Sequence, residues 1–425
     1  MKNKRFFLSV LAVSSFIFGS AQTDAYGYKT MNATMGPSYQ NRVFVDLSAE
    51  QLTSQAANNW DIAFYRNSTT GTGTRINDAQ GIETYLAAVD PTQWDNINVA
   101  NIGTWGAPLY NPDITDNLEN GALEQASLTC SILSTGWGCY NIANHHIEGK
   151  SIYVLKYPDG SYIKFMITDY YGGYTFKYSK YTGGAWGTTV TKTIANGSDD
   201  AYFNYYSLLN DTVVPNMEPA KANWDFMLTR YWTFYNNIMM YRMSGILQSP
   251  RITVAQTSET QATSSFNIPA ATDFKKGIAT IGHAWKTTSA LVPDVVYYIK
   301  EGNSYYRLYF IENGGSTTGN MTFKYKDISS VLATTEVNSK VSFGIYPNPS
   351  PNKQVTLLYD VKEGTSNKGQ VTILDASGRV VFETPIEKNQ GFFKKDLNLQ
   401  QLNSGTYLVN LKVGSHSETK KLILN

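Results

Sequence analysis

The sequence predicts an all-β protein: two tandem copies of one β domain, then a smaller Ig-like β-sandwich at the C-terminus. Three observations predict it. The first is composition: only 16% of residues are charged, and the chain holds 30 Tyr and 33 Gly. Tyr and Thr favour strands, while Gly and Asn favour the turns between them. The second is an internal repeat. Asn59-Trp60-Asp61-Ile62-Ala63-Phe64-Tyr65-Arg66 returns as Asn223-Trp224-Asp225-Phe226-Met227-Leu228-Thr229-Arg230. Downstream, Tyr153-Val154-Leu155-Lys156, a turn and Ser161-Tyr162-Ile163-Lys164 are echoed by Tyr297-Tyr298-Ile299-Lys300, a turn and Ser304-Tyr305-Tyr306-Arg307. Both series close alike, on Thr175-Phe176-Lys177-Tyr178 and Thr322-Phe323-Lys324-Tyr325. Landmarks in one order mark two copies of a domain. The third is a change of character after residue 342, where short alternating strands follow regular turn signals.

Taken in order, Lys2, Lys4 and Arg5 precede an apolar run from Phe6 to Phe18 that ends in Gly19-Ser20-Ala21. Residues 1–21 read as a secretory signal cut after Ala21. No cysteine lies near that cut to carry a lipid, and no other stretch is apolar enough to span a bilayer. The first copy covers residues 22–195, with strands expected at Arg42–Leu47, Trp60–Tyr65, Ser151–Tyr157, Tyr162–Thr168 and Tyr174–Tyr178. Ser48 is placed to cap a short helix over Ala49–Ala57. The second copy covers residues 196–330, and the first is longer between the shared landmarks, so it carries an insertion. Residues 331–342 are a polar linker. Residues 343–425 form the sandwich, with strands at Val355–Tyr359, Gln370–Leu374, Val380–Glu383, Tyr407–Lys412 and Lys420–Leu424.

Charge excludes some partners. With 35 Lys+Arg against 34 Asp+Glu, nothing argues for nucleic acid or an anionic membrane. Cys130 and Cys139 are the only cysteines; in an exported protein they are expected to form a disulfide, because two thiolates alone do not complete a zinc shell. No Gly-x-Ser-x-Gly, His-Glu-x-x-His or phosphate-cradling glycine loop is present, and Asp61, Asp169 and Asp225 read as structural carboxylates, so no enzyme is expected. Exposed aromatics such as Trp186 would suit a glycan- or protein-binding surface. Four histidines occur, with His145 and His146 adjacent, His283 in the second copy and His416 in the sandwich. Neighbours on a strand face opposite ways, so His145 and His146 share one metal only from a loop. Met239, Met240 and Met243 cluster among aromatics, and with Met166 they suit core packing as well as ligation.

The C-terminal unit resembles the type A sorting domain of the type IX secretion system of Bacteroidota. The residues that carry the likeness are Tyr346-Pro347-Asn348-Pro349, Asp375-Ala376-Ser377-Gly378-Arg379, Leu402-Asn403-Ser404-Gly405-Thr406-Tyr407 and the terminal Lys420-Lys421-Leu422-Ile423-Leu424-Asn425. That implies the type IX machinery as partner and export through the periplasm to the medium or the cell surface. The repeated domain resembles the HmuY-like haem-binding family through Val43-Phe44-Val45-Asp46-Leu47, Asn59-Trp60-Asp61, Gly136-Trp137, Tyr153-Val154-Leu155-Lys156 and Tyr174-Thr175-Phe176-Lys177-Tyr178. The second copy is divergent, with Gly282-His283 where Gly136-Trp137 would fall. This likeness implies an all-β fold and haem, or a haem protein, as ligand. The family pattern of two well-separated histidines is not reproduced. The residues able to serve are His145 and His146, as metal ligands, with His283, Met239 and Met240 as further haem contacts. The rival expectation is a surface adhesion or glycan- or protein-binding module that keeps the fold without haem.

Overall fold

The computed structural model describes residues 23–66, 71–197, 200–266, 268–288, 290–329, 341–361, 369–387, 389–414 and 416–425. The expected signal peptide, and the expected linker up to residue 340, lie outside the described residues. The chain divides into two units, Met1–Ser329 and Ser330–Asn425.

The larger unit opens with β1 (Lys29–Thr34) and a hairpin of β2 (Asn41–Asp46) and β3 (Gln51–Ala56). The first Trp-Asp pair leads into β4 (Ile62–Tyr65), with β5 (Thr74–Ile76) beside it. A large sheet follows, of β6 (Glu83–Ala88), β7 (Gly138–Tyr140), β8 (Ile147–Gly149), β9 (Ile152–Lys156), β10 (Tyr162–Tyr170), β11 (Gly173–Thr182), β12 (Ala185–Trp186) and β13 (Val190–Ala195). A second hairpin, β14 (Phe203–Ser207) and β15 (Thr212–Val214), precedes the second Trp-Asp pair. Then come β16 (Phe226–Tyr235) and β17 (Met239–Gln248), paired along their whole length. Finally β18 (Ile252–Ser258), β19 (Val295–Glu301), β20 (Ser304–Phe310) and β21 (Asn320–Asp327) join β1 in one sheet.

The pairing crosses between the repeats. β2, which precedes the first Trp-Asp pair, lies against β16 after the second; β14, which precedes the second, lies against β4 after the first. Ahead of the first hairpin, β1 lies on β21 of the second copy, whereas β13, ahead of the second hairpin, lies on β11 of its own copy. Each Trp-Asp pair clamps the hairpin it receives. Asp61 N donates to Tyr206 O (2.9 Å), and Asp225 N to Val45 O (2.7 Å). Asp61 Oδ2 accepts from Leu209 N and Ser207 Oγ (3.1 Å each), and Asp225 Oδ2 from Leu47 N (2.8 Å). Trp60 meets Tyr205 edge-on at 4.9 Å, and Trp224 meets Phe44 at 5.2 Å. The landmarks therefore do stand in matching places, yet a boundary between residues 195 and 196 does not separate two closed domains. One compact half is β4 to β15; the other is β1 to β3 completed by β16 to β21.

Three of the hydrophobic clusters follow from this layout. One fills each half, around Phe64, Phe165 and Phe176 and around Phe226, Phe310 and Phe323. The third joins the halves through Phe44, Trp60, Tyr205 and Trp224. The expected helix over Ala49–Ala57 is instead strand β3. Asp46 Oδ1 accepts from Ala49 N (2.8 Å) and Ser48 Oγ (2.7 Å), which closes a tight turn where a helix cap was expected and returns the chain beside β2.

The smaller unit is a β-sandwich. β22 (Val341–Tyr346), β23 (Gln354–Val361) and β26 (Gly391–Asn398) form one sheet; β24 (Gly369–Leu374), β25 (Val380–Ile386), β27 (Gly405–Val413) and β28 (His416–Leu424) form the other. Asn348 binds the terminal strand at both ends of its amide, to Lys421 O (2.7 Å) and Ile423 N (2.9 Å). Leu422 and Leu424 alternate into the core.

Candidate functional site

Where the β16–β17 hairpin of one half meets β6 and the β9–β10 turn of the other, a cleft of about 530 Å³ opens. That lies within the roughly 300–1,000 Å³ usual for small-molecule sites. The hairpin supplies Arg230, Trp232, Met239, Met240, Tyr241 and Arg242; the other half supplies Gly81, Glu83, Tyr110 and Lys156 through Gly160, apart from Asp159. Register explains the composition. Trp232 stands opposite Arg242 and Phe234 opposite Met240, so alternation turns Arg230, Trp232, Arg242 and Met240 to one face. Met239 pairs with Tyr235 on the opposite face and reaches the cleft at its open end, where it is 55% exposed.

The walls are aromatic and the floor is cationic. Tyr110 and Trp232 meet with ring centroids 4.6 Å apart. Arg242 Nη1 donates to Ala79 O (3.1 Å), and a Cβ on Gly81 would fall 2.0 Å from that nitrogen, so a larger residue there would have to displace the guanidinium. Burial, then the neighbouring Arg230, hold Arg242 down at about 10. Lys156 Nζ is paired with Glu83 Oε2 at 2.9 Å. Burial and the Glu83 charge push the Tyr110 hydroxyl up to about 12.

The histidines are elsewhere. His145 and His146 close the loop between β7 and β8, where Asn141 N donates to His146 O (2.8 Å). His145 sits at φ 64°, exposed, its Nδ1 against Tyr140 OH (2.6 Å). His146 Nδ1 meets Asp169 Oδ1 (2.8 Å), and its ring stacks flat on Tyr171 at 4.5 Å. The two rings thus take different partners. Among the described residues no group of three or more His, Cys, Asp and Glu side chains could hold a metal ion. His283 Nδ1 meets the buried Tyr231 hydroxyl at 2.8 Å; burial and then Lys286 lower its proton affinity. Cys130 and Cys139 are bonded, with Cα atoms 5.5 Å apart, beside this loop. Of the candidate ligand residues His145, His146, His283, Met239 and Met240, only Met239 and Met240 line the cleft. Arg230 stands in the sequence only as the close of the repeated stretch, and Trp232, Arg242 and Tyr110 belong to no motif, although the alternation of Arg230, Trp232 and Arg242 about a turn at Asn236-Asn237 is a legible signal.

Residues 38–182 match the HmuY protein family, and residues 344–425 match the secretion system C-terminal sorting domain. No curated protein matches the chain. The sorting domain marks the protein as secreted or surface-attached through the type IX system, and no helix among the described residues is long and apolar enough to cross a membrane. The HmuY match ends before the second copy begins; what relates the second set of strands to the first is their shared pairing. The matched span takes in the exchanged hairpin β2–β3 and the Gly81–Tyr110 and Lys156–Gly160 side of the cleft.

Proposed function

We propose that this exported protein is a non-enzymatic binding protein for a tetrapyrrole of the haem type, and that the cleft between the halves holds it. One observation carries the reading: two thioethers, an aromatic wall and two guanidinium groups line a single cleft of about 530 Å³. A haem needs a soft or imidazole ligand for iron, a flat apolar slot and cations for its propionates. Met240 suits the first, Tyr110 and Trp232 the second, and Arg230 and Arg242 the third. The buried Arg230 Nε and Trp232 Nε1, both without a hydrogen-bond partner, fit an incoming acid. The HmuY match over residues 38–182 agrees with this ligand class.

Haemin titrated into the purified protein tests it. A Soret shift is expected in at least one redox state, altered in Met240→Ala and unchanged in His145→Ala. A shift lost in His146→Ala but intact in Met240→Ala would move the ligand to the loop beside Tyr171. No shift in either redox state would leave the rival reading, a surface adhesion or glycan-binding module. The exposed tip of the β16–β17 hairpin, with Phe234, Ile238 and Tyr241 open to solvent, is the feature that favours that rival.

A further inference from the structure

The floor of the cleft holds more cations and N–H donors than the fold requires. Arg230 and Arg242 are diagonal neighbours on one face of the hairpin, and Trp232 stands directly across from Arg242; such diagonal pairs sit roughly 7–8 Å apart. Both guanidinium groups rest on neutral carbonyls, Arg242 on Ala79 O (3.1 Å) and Arg230 on Arg242 O (3.3 Å). The acids at hand are engaged. Glu83 takes Lys156 Nζ (2.9 Å) and Tyr85 OH (3.1 Å), and Asp78, whose charge reaches Arg242, takes the Asn111 amide (2.7 Å). Arg230 Nε and Trp232 Nε1 are buried with no hydrogen-bond partner. Buried donors left unpaired are costly, and two neighbouring guanidinium groups repel each other, so an arriving anion relieves both.

We propose that Arg230, Arg242 and the Trp232 indole N–H form a carboxylate-binding floor, so that the cleft selects flat, largely apolar acids over their neutral analogues. The inference rests on the cleft being the ligand site but not on the ligand being haem. Charge-assisted, forked hydrogen bonds from guanidinium to carboxylate give the acid its advantage. A neutral analogue leaves the same donors unpaired, which is the stronger half of the discrimination.

Two probe pairs separate this inference from the haem reading: 1-pyrenebutyrate against 1-pyrenebutanol, and mesoporphyrin IX against its dimethyl ester, each followed by fluorescence. The protein is expected to bind each acid at least about tenfold more tightly than its neutral partner, and less tightly as salt rises. Arg242→Gln and Arg230→Gln should each abolish that preference. Trp232→Phe, which removes one N–H and keeps an aromatic ring, should reduce it and guards against a misfolded arginine variant. Preference in the pyrene pair with no porphyrin binding would uphold the carboxylate floor and sink the haem reading. Equal binding of both porphyrins would sink the carboxylate floor and leave a tetrapyrrole site whose propionates need no arginine. Equal binding of both pyrenes, binding of neither, or a preference that survives all three substitutions would overturn the inference.

Discussion

At the scale of single residues, the repeated Trp-Asp pairs explain themselves. Asp61 and Asp225 are fully buried, and each accepts a backbone N–H at the turn of the hairpin that pairs with its own strand. Burying a carboxylate has a consequence in pH. Burial pushes Asp225 up to about 6 and Asp78 up to about 7, the latter against the pull of Arg75 and the Asn111 amide. A carboxyl group raised in this way binds protons more tightly folded than unfolded. Its contribution is therefore unaffected below about 4 and turns unfavourable as pH rises through the folded value. His283, lowered by burial, works in the opposite sense near its own titration, so total stability is a poor readout. The difference between wild type and Asp78→Asn isolates the effect. Thermal melts at pH 5 and pH 8 should show wild type losing ground to the variant as pH rises; a constant gap would refute the assignment.

At the scale of elements, the two copies treat one position differently. Lys164 in the first copy and Arg307 in the second occupy the same place in the repeat, and both are buried. Lys164 donates to Trp94 O (2.6 Å), and Lys164 and Lys177 each lie 4.4 Å from the Trp94 ring, so the segment around Trp94 covers that face of the sheet. Arg307 is held by Glu259 (3.0 Å) and by the hydroxyls of Tyr28 and Tyr298. The β16–β17 hairpin, by contrast, is set by its turn. Asn236 and Asn237 stand at φ 51° and 56°, a conformation asparagine tolerates and β-branched residues do not. Asn237→Gly should leave stability and ligand affinity near wild type. Asn237→Val should cost about 1–2 kcal/mol and weaken ligand binding, because a disturbed turn shifts Met240 and Arg242 together. Chemical denaturation and the porphyrin titration check the two halves of that expectation, and a Val variant with unchanged affinity would show that the turn does not set the cleft.

Over the whole molecule, the exchange of strands makes the larger unit a single object. A fragment of residues 22–195, the first copy as the repeat divides it, leaves β4 without β14 and leaves β1 to β3 without β16 and β21. A fragment of residues 57–215 keeps β4 to β15 with all their mutual pairings. The second fragment should give a cooperative melt and the first should not. Two independent melts from fragments cut between residues 195 and 196 would show that the exchange is dispensable. The exchange also brings Gly81, Lys156 and Arg242 to one cleft, although they stand far apart in the chain.

The order of landmarks, the β class, the turn chemistry and the sorting unit were determined by the sequence itself, because each rests on local patterns: alternation, Gly and Asn turns, and motifs a few residues long. The strand expected at Gln370–Leu374 follows from alternation, and its residues alternate between buried and half-buried. Which hairpin each Trp-Asp strand receives was not legible. Phe44-Val45-Asp46-Leu47 and Tyr205-Tyr206-Ser207-Leu208 offer the same edge to either strand, so the local chemistry permits both pairings. Only the tertiary structure chooses between them, through the packing of Phe44, Trp60, Tyr205 and Trp224 in the cluster that joins the halves. The cleft belongs to that choice, since its two walls come from strands that meet only after the exchange.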